Sequence, residues 1–249
     1  IDIIFIVKDL TKYPNIEKEV QGILAGIRNL IKPFTIDCRL RPEGKSSQLV
    51  WDVKDSKLYF KRRARIWEFQ ALSKISFVSG NKRLFSGFTK NALQSLDKFN
   101  QKEIKKEMAE MHKKIISQKI SGSLDMIDVK KGSGGLTDIE FISQYLIITN
   151  PDLYGNSFEK SYPEQLQLIS KAESKQPGIK ILYKTFEFFK SIQLINQLIF
   201  TSTSSRIKFD GKRLNAFSTV LDHDKIDDFK NEILNNILNT KKLFGRVFK

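Results

Sequence analysis

The chain has 249 residues, a formal net charge of +15, and 40% apolar against 29% charged residues, enough to bury one large core or two modest ones. Its single cysteine, Cys38, excludes an internal disulfide and any multi-cysteine zinc site. No apolar run reaches the ~18–20 residues needed to cross a bilayer, and the first run lacks the basic lead of a signal peptide, so a cytoplasmic protein is expected.

The chain opens Ile1-Asp2-Ile3-Ile4-Phe5-Ile6-Val7, a β-branched and aromatic run that predicts a buried strand with an acid at its start. From Asn15 to Pro33 the apolar positions Ile16, Val20, Ile23, Leu24, Ile27, Leu30 and Ile31 follow a helical spacing, which Pro33 ends. Residues 35–41 predict a second strand. Side chains alternate along a strand, so Asp37, Arg39 and Arg41 would share one face while Ile36, Cys38 and Leu40 share the other. One metal-capable carboxylate beside two phosphate-capable forks suits a nucleoside triphosphate; a solvated face with an internal Arg–Asp pair is the alternative. Asp2 strengthens the first reading, because two acids on neighbouring strands repel unless a cation such as Mg²⁺ lies between them.

Residues 43–47 predict a polar turn and Leu49-Val50-Trp51 a further strand. Helices are then expected at 57–77, 82–97, 101–118, 137–149, 162–173, 178–201 and 224–244. Trp67 is expected as a core anchor, and Glu68 as a partner for Arg39 or Arg41. Lys61-Arg62-Arg63-Ala64-Arg65 is the one dense basic cluster; elsewhere, as in Lys102-Glu103-Ile104-Lys105-Lys106-Glu107, acids interleave with the lysines. That pattern describes a solvated helix face and argues against nucleic acid as the partner. Lys130-Lys131-Gly132-Ser133-Gly134-Gly135 precedes a helix and could cradle a phosphate. The favoured alternative is structural, with Thr137 as N-cap and Glu140 completing a capping box. His112 and His223 have no evident cluster around them.

Several motifs in order carry a family resemblance. Asp2 in Ile-Asp-Ile-Ile-Phe precedes Asp37-Cys38-Arg39-Leu40-Arg41-Pro42-Glu43-Gly44. There follow Trp67-Glu68-Phe69-Gln70-Ala71-Leu72, Val78-Ser79-Gly80-Asn81, Glu107-Met108-Ala109-Glu110-Met111 and Gly134-Gly135-Leu136-Thr137-Asp138-Ile139-Glu140-Phe141. Together these resemble the glutamine synthetase adenylyltransferases, members of the DNA polymerase β-like nucleotidyltransferase superfamily. The resemblance implies an α+β fold, with a small mixed-sheet nucleotidyltransferase core over residues 1–98 and a mostly α-helical bundle over 99–249. It also implies a chain cut within its first metal motif, lacking one metal ligand and inactive alone.

The activity implied is transfer of AMP from ATP to a tyrosine of glutamine synthetase, or its removal by phosphorolysis. Asp2 and Asp37 would hold Mg²⁺, Asp37 would also help take the hydroxyl proton, and Arg39 and Arg41 would grip the phosphates or orient Asp37. Lys74 stands where the family carries the first arginine of an Arg-x-Arg pair and would complete the nucleotide contacts, while Ser76 replaces the second. Glutamine synthetase is the implied protein substrate, with a regulatory signalling protein as a further partner. The departures at Lys74, Ser76, Ala109 and His112 leave open a degenerate module kept for regulation or docking. An unrelated basic helical binding protein is the remaining alternative.

Overall fold

The computed structural model describes residues 1–44, 47–117, 126–172, 178–202, 204–208 and 211–249. The chain forms two compact units, one from residues 1–101 with 148–161 and one from 102–147 with 162–249. The described residues are mostly helical with a few short strands, an α+β composition.

In the first unit, β1 (Phe5–Val7) pairs in parallel with β2 (Val50–Asp52), in the register Phe5↔Val50, Ile6↔Trp51 and Val7↔Asp52. Upstream, Asp2 and Asp37 form an isolated parallel bridge. Pairing in this unit is therefore parallel throughout its described residues, where a mixed sheet was expected. The crossover from β1 is α1 (Ile16–Leu30), whose apolar stripe buries Val20 and Leu24 against Val50. A carboxylate fastens the helix to the sheet: Glu17 accepts the N–H groups of Leu49 at 3.1 Å and Val50 at 2.8 Å.

The expected strand over 35–41 is reduced to the single bridge at Asp37. The Asp37 carboxylate accepts the N–H of Arg39, two residues on, at 2.8 Å. Short polar side chains bind their own backbone in this way and turn the chain out of extended geometry.

The expected helix over 57–77 is two helices, α2 (Val53–Arg62) and α3 (Ile66–Leu72). Asp52, the last residue of β2, caps α2 by accepting the N–H of Asp55 at 2.6 Å. Lys98 closes its other end, with Nζ 2.6 Å from the carbonyl oxygens of both Phe60 and Ala64. A cation on terminal carbonyls satisfies acceptors that lack helical donors. At the start of α3, Glu68 accepts the N–H of Arg65 at 2.8 Å and the hydroxyl of Tyr59 at 2.5 Å. Glu68 is thus a buried cap, where a partner for Arg39 or Arg41 was expected. Trp67 is only half-buried, and the anchor is its neighbour Phe69, which packs between Phe60 and Tyr154. Helices α4 (Lys82–Leu93) and α7 (Pro151–Ser157) complete the unit.

The second unit contains α5 (Gln101–Ser117, its first residue in the other unit), β3 (Met126–Asp128), α6 (Leu136–Ile148, its last residue in the other unit), α8 (Tyr162–Ala172), α9 (Ile179–Phe200), β4 (Arg206–Lys208), α10 (Gly211–Val220) and α11 (Ile226–Phe248). β3 and β4 form an antiparallel pair, with Asp128 opposite Arg206. Its core is aliphatic and aromatic: Met108, Ile139, Ile142, Phe189, Phe217 and Phe229 are fully buried.

Candidate functional site

Bridge partners on adjacent parallel strands project their side chains to the same side of the sheet. The backbone bonds of Ile3 N–H to Asp37 O (2.9 Å) and Asp37 N–H to Ile1 O (2.8 Å) set Asp2 and Asp37 in this relation. The acids named from the sequence, distant in the chain, are therefore neighbours at one end of the parallel pair. Among the described residues no group of three or more His, Cys, Asp or Glu could hold a metal ion. A site here would offer two carboxylates, a donor set suited to a hard, oxygen-preferring divalent cation that completes its shell with water or phosphate.

Asp37 already has a cationic partner. Its carboxylate accepts Nε of Arg39 at 2.5 Å and forms an ion pair with the same guanidinium. Arg41 is committed elsewhere: Nε donates to the carbonyl of Gln48 at 3.0 Å, and its terminal nitrogens donate to Cys38 at 2.5 Å and Ser47 at 3.0 Å. Through three main-chain carbonyls Arg41 braces Cys38 against Ser47 and Gln48. The two arginines therefore do different work, although their alternate spacing predicted one shared face. Lys74 lies in the exposed turn after α3 and does not line the cleft beside Asp37.

That cleft, of about 330 Å³, runs between α1 and the turn from Ile36 to Arg41. Asp37, Cys38, Arg39 and Arg41 line one side, with Gln21, Leu24 and Arg28 of α1 on the other. Burial pushes the Cys38 thiol up, against the opposing pull of Arg41 and Arg28. Sequence reasoning passed over Gln21 and Arg28. Their signal was available: positions 21, 24 and 28 fall on one face of a helix, and buried Leu24 turns that face inward.

A second constellation lies in the other unit. Asp138, near the start of α6, accepts the N–H of Gly134 at 2.7 Å and lies 2.6 Å from Nε2 of His112. Both side chains are buried, and the His112 ring packs on Phe141 and Phe244 at centroid separations of 5.0 and 4.2 Å. Thr137 is not the expected N-cap: α6 begins at Leu136, and Thr137 Oγ1 donates to the carbonyl of Lys130 at 2.8 Å. His112, for which the sequence offered no cluster, is the core partner of Asp138. His223 is likewise paired, 2.5 Å from Glu232.

The class of protein is given by comparison with known families. Residues 31–91, which span the bridge residue Asp37, the Arg41 brace and the Glu68 cap, match the family described as glutamate-ammonia ligase adenylyltransferase. Curated relatives are each named bifunctional glutamine synthetase adenylyltransferase/adenylyl-removing enzyme. The one from Shewanella oneidensis is 36% identical over 122 residues, covering 49% of this chain and 13% of its own length. That from Shewanella loihica is 36% identical over 118 residues, covering 47% and 12%, and that from Thioalkalivibrio sulfidiphilus 30% over 143 residues, covering 55% and 14%. Over these residues the chain is similar to the glutamate–ammonia ligase adenylyltransferase family. It spans about an eighth of the length of these relatives.

Proposed function

We propose that this chain forms part of a metal-dependent nucleotidyltransferase module that moves AMP between ATP and a tyrosine of glutamine synthetase in the cytoplasm, with a nucleotidyltransferase core in its first unit. The observation that carries this reading is the Asp2–Asp37 bridge at the rim of a cationic cleft, within a family whose named activity is adenylyl transfer and removal. Asp2 and Asp37 would hold Mg²⁺, which when bound neutralises the charge of the triphosphate. The Asp37 carboxylate would also accept a proton from an attacking tyrosine hydroxyl. Arg39, paired with that carboxylate, would aim it and would lie beside the phosphates. A regulatory signalling protein is the further partner in this scheme.

A degenerate module kept for regulation or docking is the second reading. It is favoured by the commitment of Arg41 to main-chain carbonyls and by the position of Lys74 outside the cleft. The two are separated by incubating glutamine synthetase with α-labelled ATP, Mg²⁺ and the longest polypeptide that carries this chain. Label on the synthetase that Asp37→Ala abolishes supports catalysis. Label transfer unchanged in Asp37→Ala removes Asp37 from the reaction, and no transfer by either protein leaves the regulatory reading.

A further inference from the structure

We infer that Arg28, on α1, is the anion-gripping residue of the cleft beside Asp37, and that its ligand is a polyphosphate chain. The identity of the ligand rests on the nucleotidyltransferase reading above; the assignment to Arg28 rests on what each guanidinium touches.

Three arginines and one carboxylate line this cleft, an excess of two positive charges. Arg41 spends its donors on the carbonyls of Cys38, Ser47 and Gln48, and cannot release them without dismantling the turn that it braces. Arg39 is paired with Asp37. Among the described residues no hydrogen bond or ion pair engages the Arg28 guanidinium, which is exposed on α1 and lines the same cleft as Cys38. A planar guanidinium with free donors at the wall of a cleft of small-molecule size is matched to paired phosphate oxygens. A chain of several phosphoryl groups also answers the excess charge better than one carboxylate would. Arg28 lies in the last turn of its helix, where any cation suits the helix dipole. A lysine would serve the dipole equally well but would lose the bidentate fork.

Cys38 supplies a reporter, being the one thiol of the chain and a wall of the same cleft. The experiment measures alkylation of Cys38 by N-ethylmaleimide, a neutral reagent, in the full chain at constant ionic strength as inorganic tripolyphosphate is added. Protection is scored as a ratio within each variant, which cancels any change in intrinsic thiol reactivity. Tripolyphosphate is expected to protect the native chain. Arg28→Gln is expected to raise the half-protecting concentration about tenfold or more, the worth of one charge-assisted contact. Arg28→Lys should fall between the two, with a melting temperature equal to that of the native chain. Lys74→Ala should protect as the native chain does. Equal protection in Arg28→Gln, no protection in the native chain, or loss of protection in Lys74→Ala alone would each overturn the assignment. Equal protection by sulfate would overturn the polyphosphate ligand. Protection that depends on Arg28 without any label transfer would defeat the catalytic proposal and leave this one standing, while transfer that survives Arg28→Gln unchanged would do the reverse.

Discussion

Glu17 and Val50, 33 residues apart, are joined by a 2.8 Å hydrogen bond from the backbone of the strand to the carboxylate of the helix. The other carboxylate oxygen takes the N–H of Leu49, so one side chain serves two donors just where β2 begins. Glu17→Ala is expected to cost about 1–3 kcal/mol, since main-chain donors lose a charged acceptor. Glu17→Gln, which keeps one oxygen, should cost less. Urea unfolding of the two variants checks the order; equal stability of Glu17→Ala and the native chain would show that the contact is replaced by water.

Gly134 is held in the left-handed region, with φ of 84°, and a Cβ there would overlap the carbonyl oxygen of Ile237 on α11. Gly134→Ala therefore meets both backbone strain and a main-chain neighbour. A loss of more than about 1 kcal/mol is expected, read as a lower melting temperature.

Asp138 and Glu140 both start α6 but carry unequal loads. Asp138→Ala would leave the Gly134 N–H and His112 without their buried acceptor, at a cost of about 3 kcal/mol or more. Glu140→Gln alters a half-buried group and keeps a side-chain oxygen that can accept from Gln144, and should cost well under that. Chemical denaturation of both variants in parallel gives the ranking.

Asp128 and Glu68 should tilt stability with pH in opposite senses. Burial pushes the Asp128 carboxyl up, but hydrogen bonds from Lys131 N–H, Ser205 Oγ and Lys130 N–H, with Arg206 nearby, outweigh it and hold the group below its ordinary 3.8. The unfolded chain binds this proton first on acidification, so the stabilisation is complete above 3.8 and is lost as pH falls through the folded value. For Glu68, burial dominates and raises the carboxyl above its ordinary 4.5, against the hydrogen bonds from Tyr59 and Arg65. Its contribution is present below 4.5 and fades as pH rises through the folded value. Melting curves across the acid range should show Asp128→Asn losing its deficit toward low pH. Glu68→Gln should compare best with the native chain at neutral pH.

The bridge between Asp2 and Asp37 was legible in the sequence because each acid sits in a recognisable motif and β-branched runs announce strands. The helices α1, α9 and α11 were legible from their apolar spacing. The turn at Arg39 was not: alternation at 37, 39 and 41 reads as a strand, and only the local bond from the Arg39 N–H to the Asp37 side chain shows that the backbone departs from it. The break between α2 and α3 escaped for a related reason, since both sides of Arg63-Ala64-Arg65 keep a helical pattern while Lys98, 34 residues beyond Ala64, closes the first helix. The short strand β4 and helix α10 carry little periodicity of their own. The glycine-rich loop was ambiguous by chemistry: a phosphate cradle and a self-capped helix ask for the same residues, and Asp138 occupies the position an anion would take.

The three carbonyls collected by Arg41 also bear on how this segment could change over time. A lysine there would bring a charge but not a rigid fork with directions set in one plane. The loop would then need a new scaffold before it could present Asp37 at all. Variation should thus be tolerated on the opposing wall, along the exposed side of α1, sooner than at this arginine, and ligand preference could drift without disturbing the frame that displays the acids.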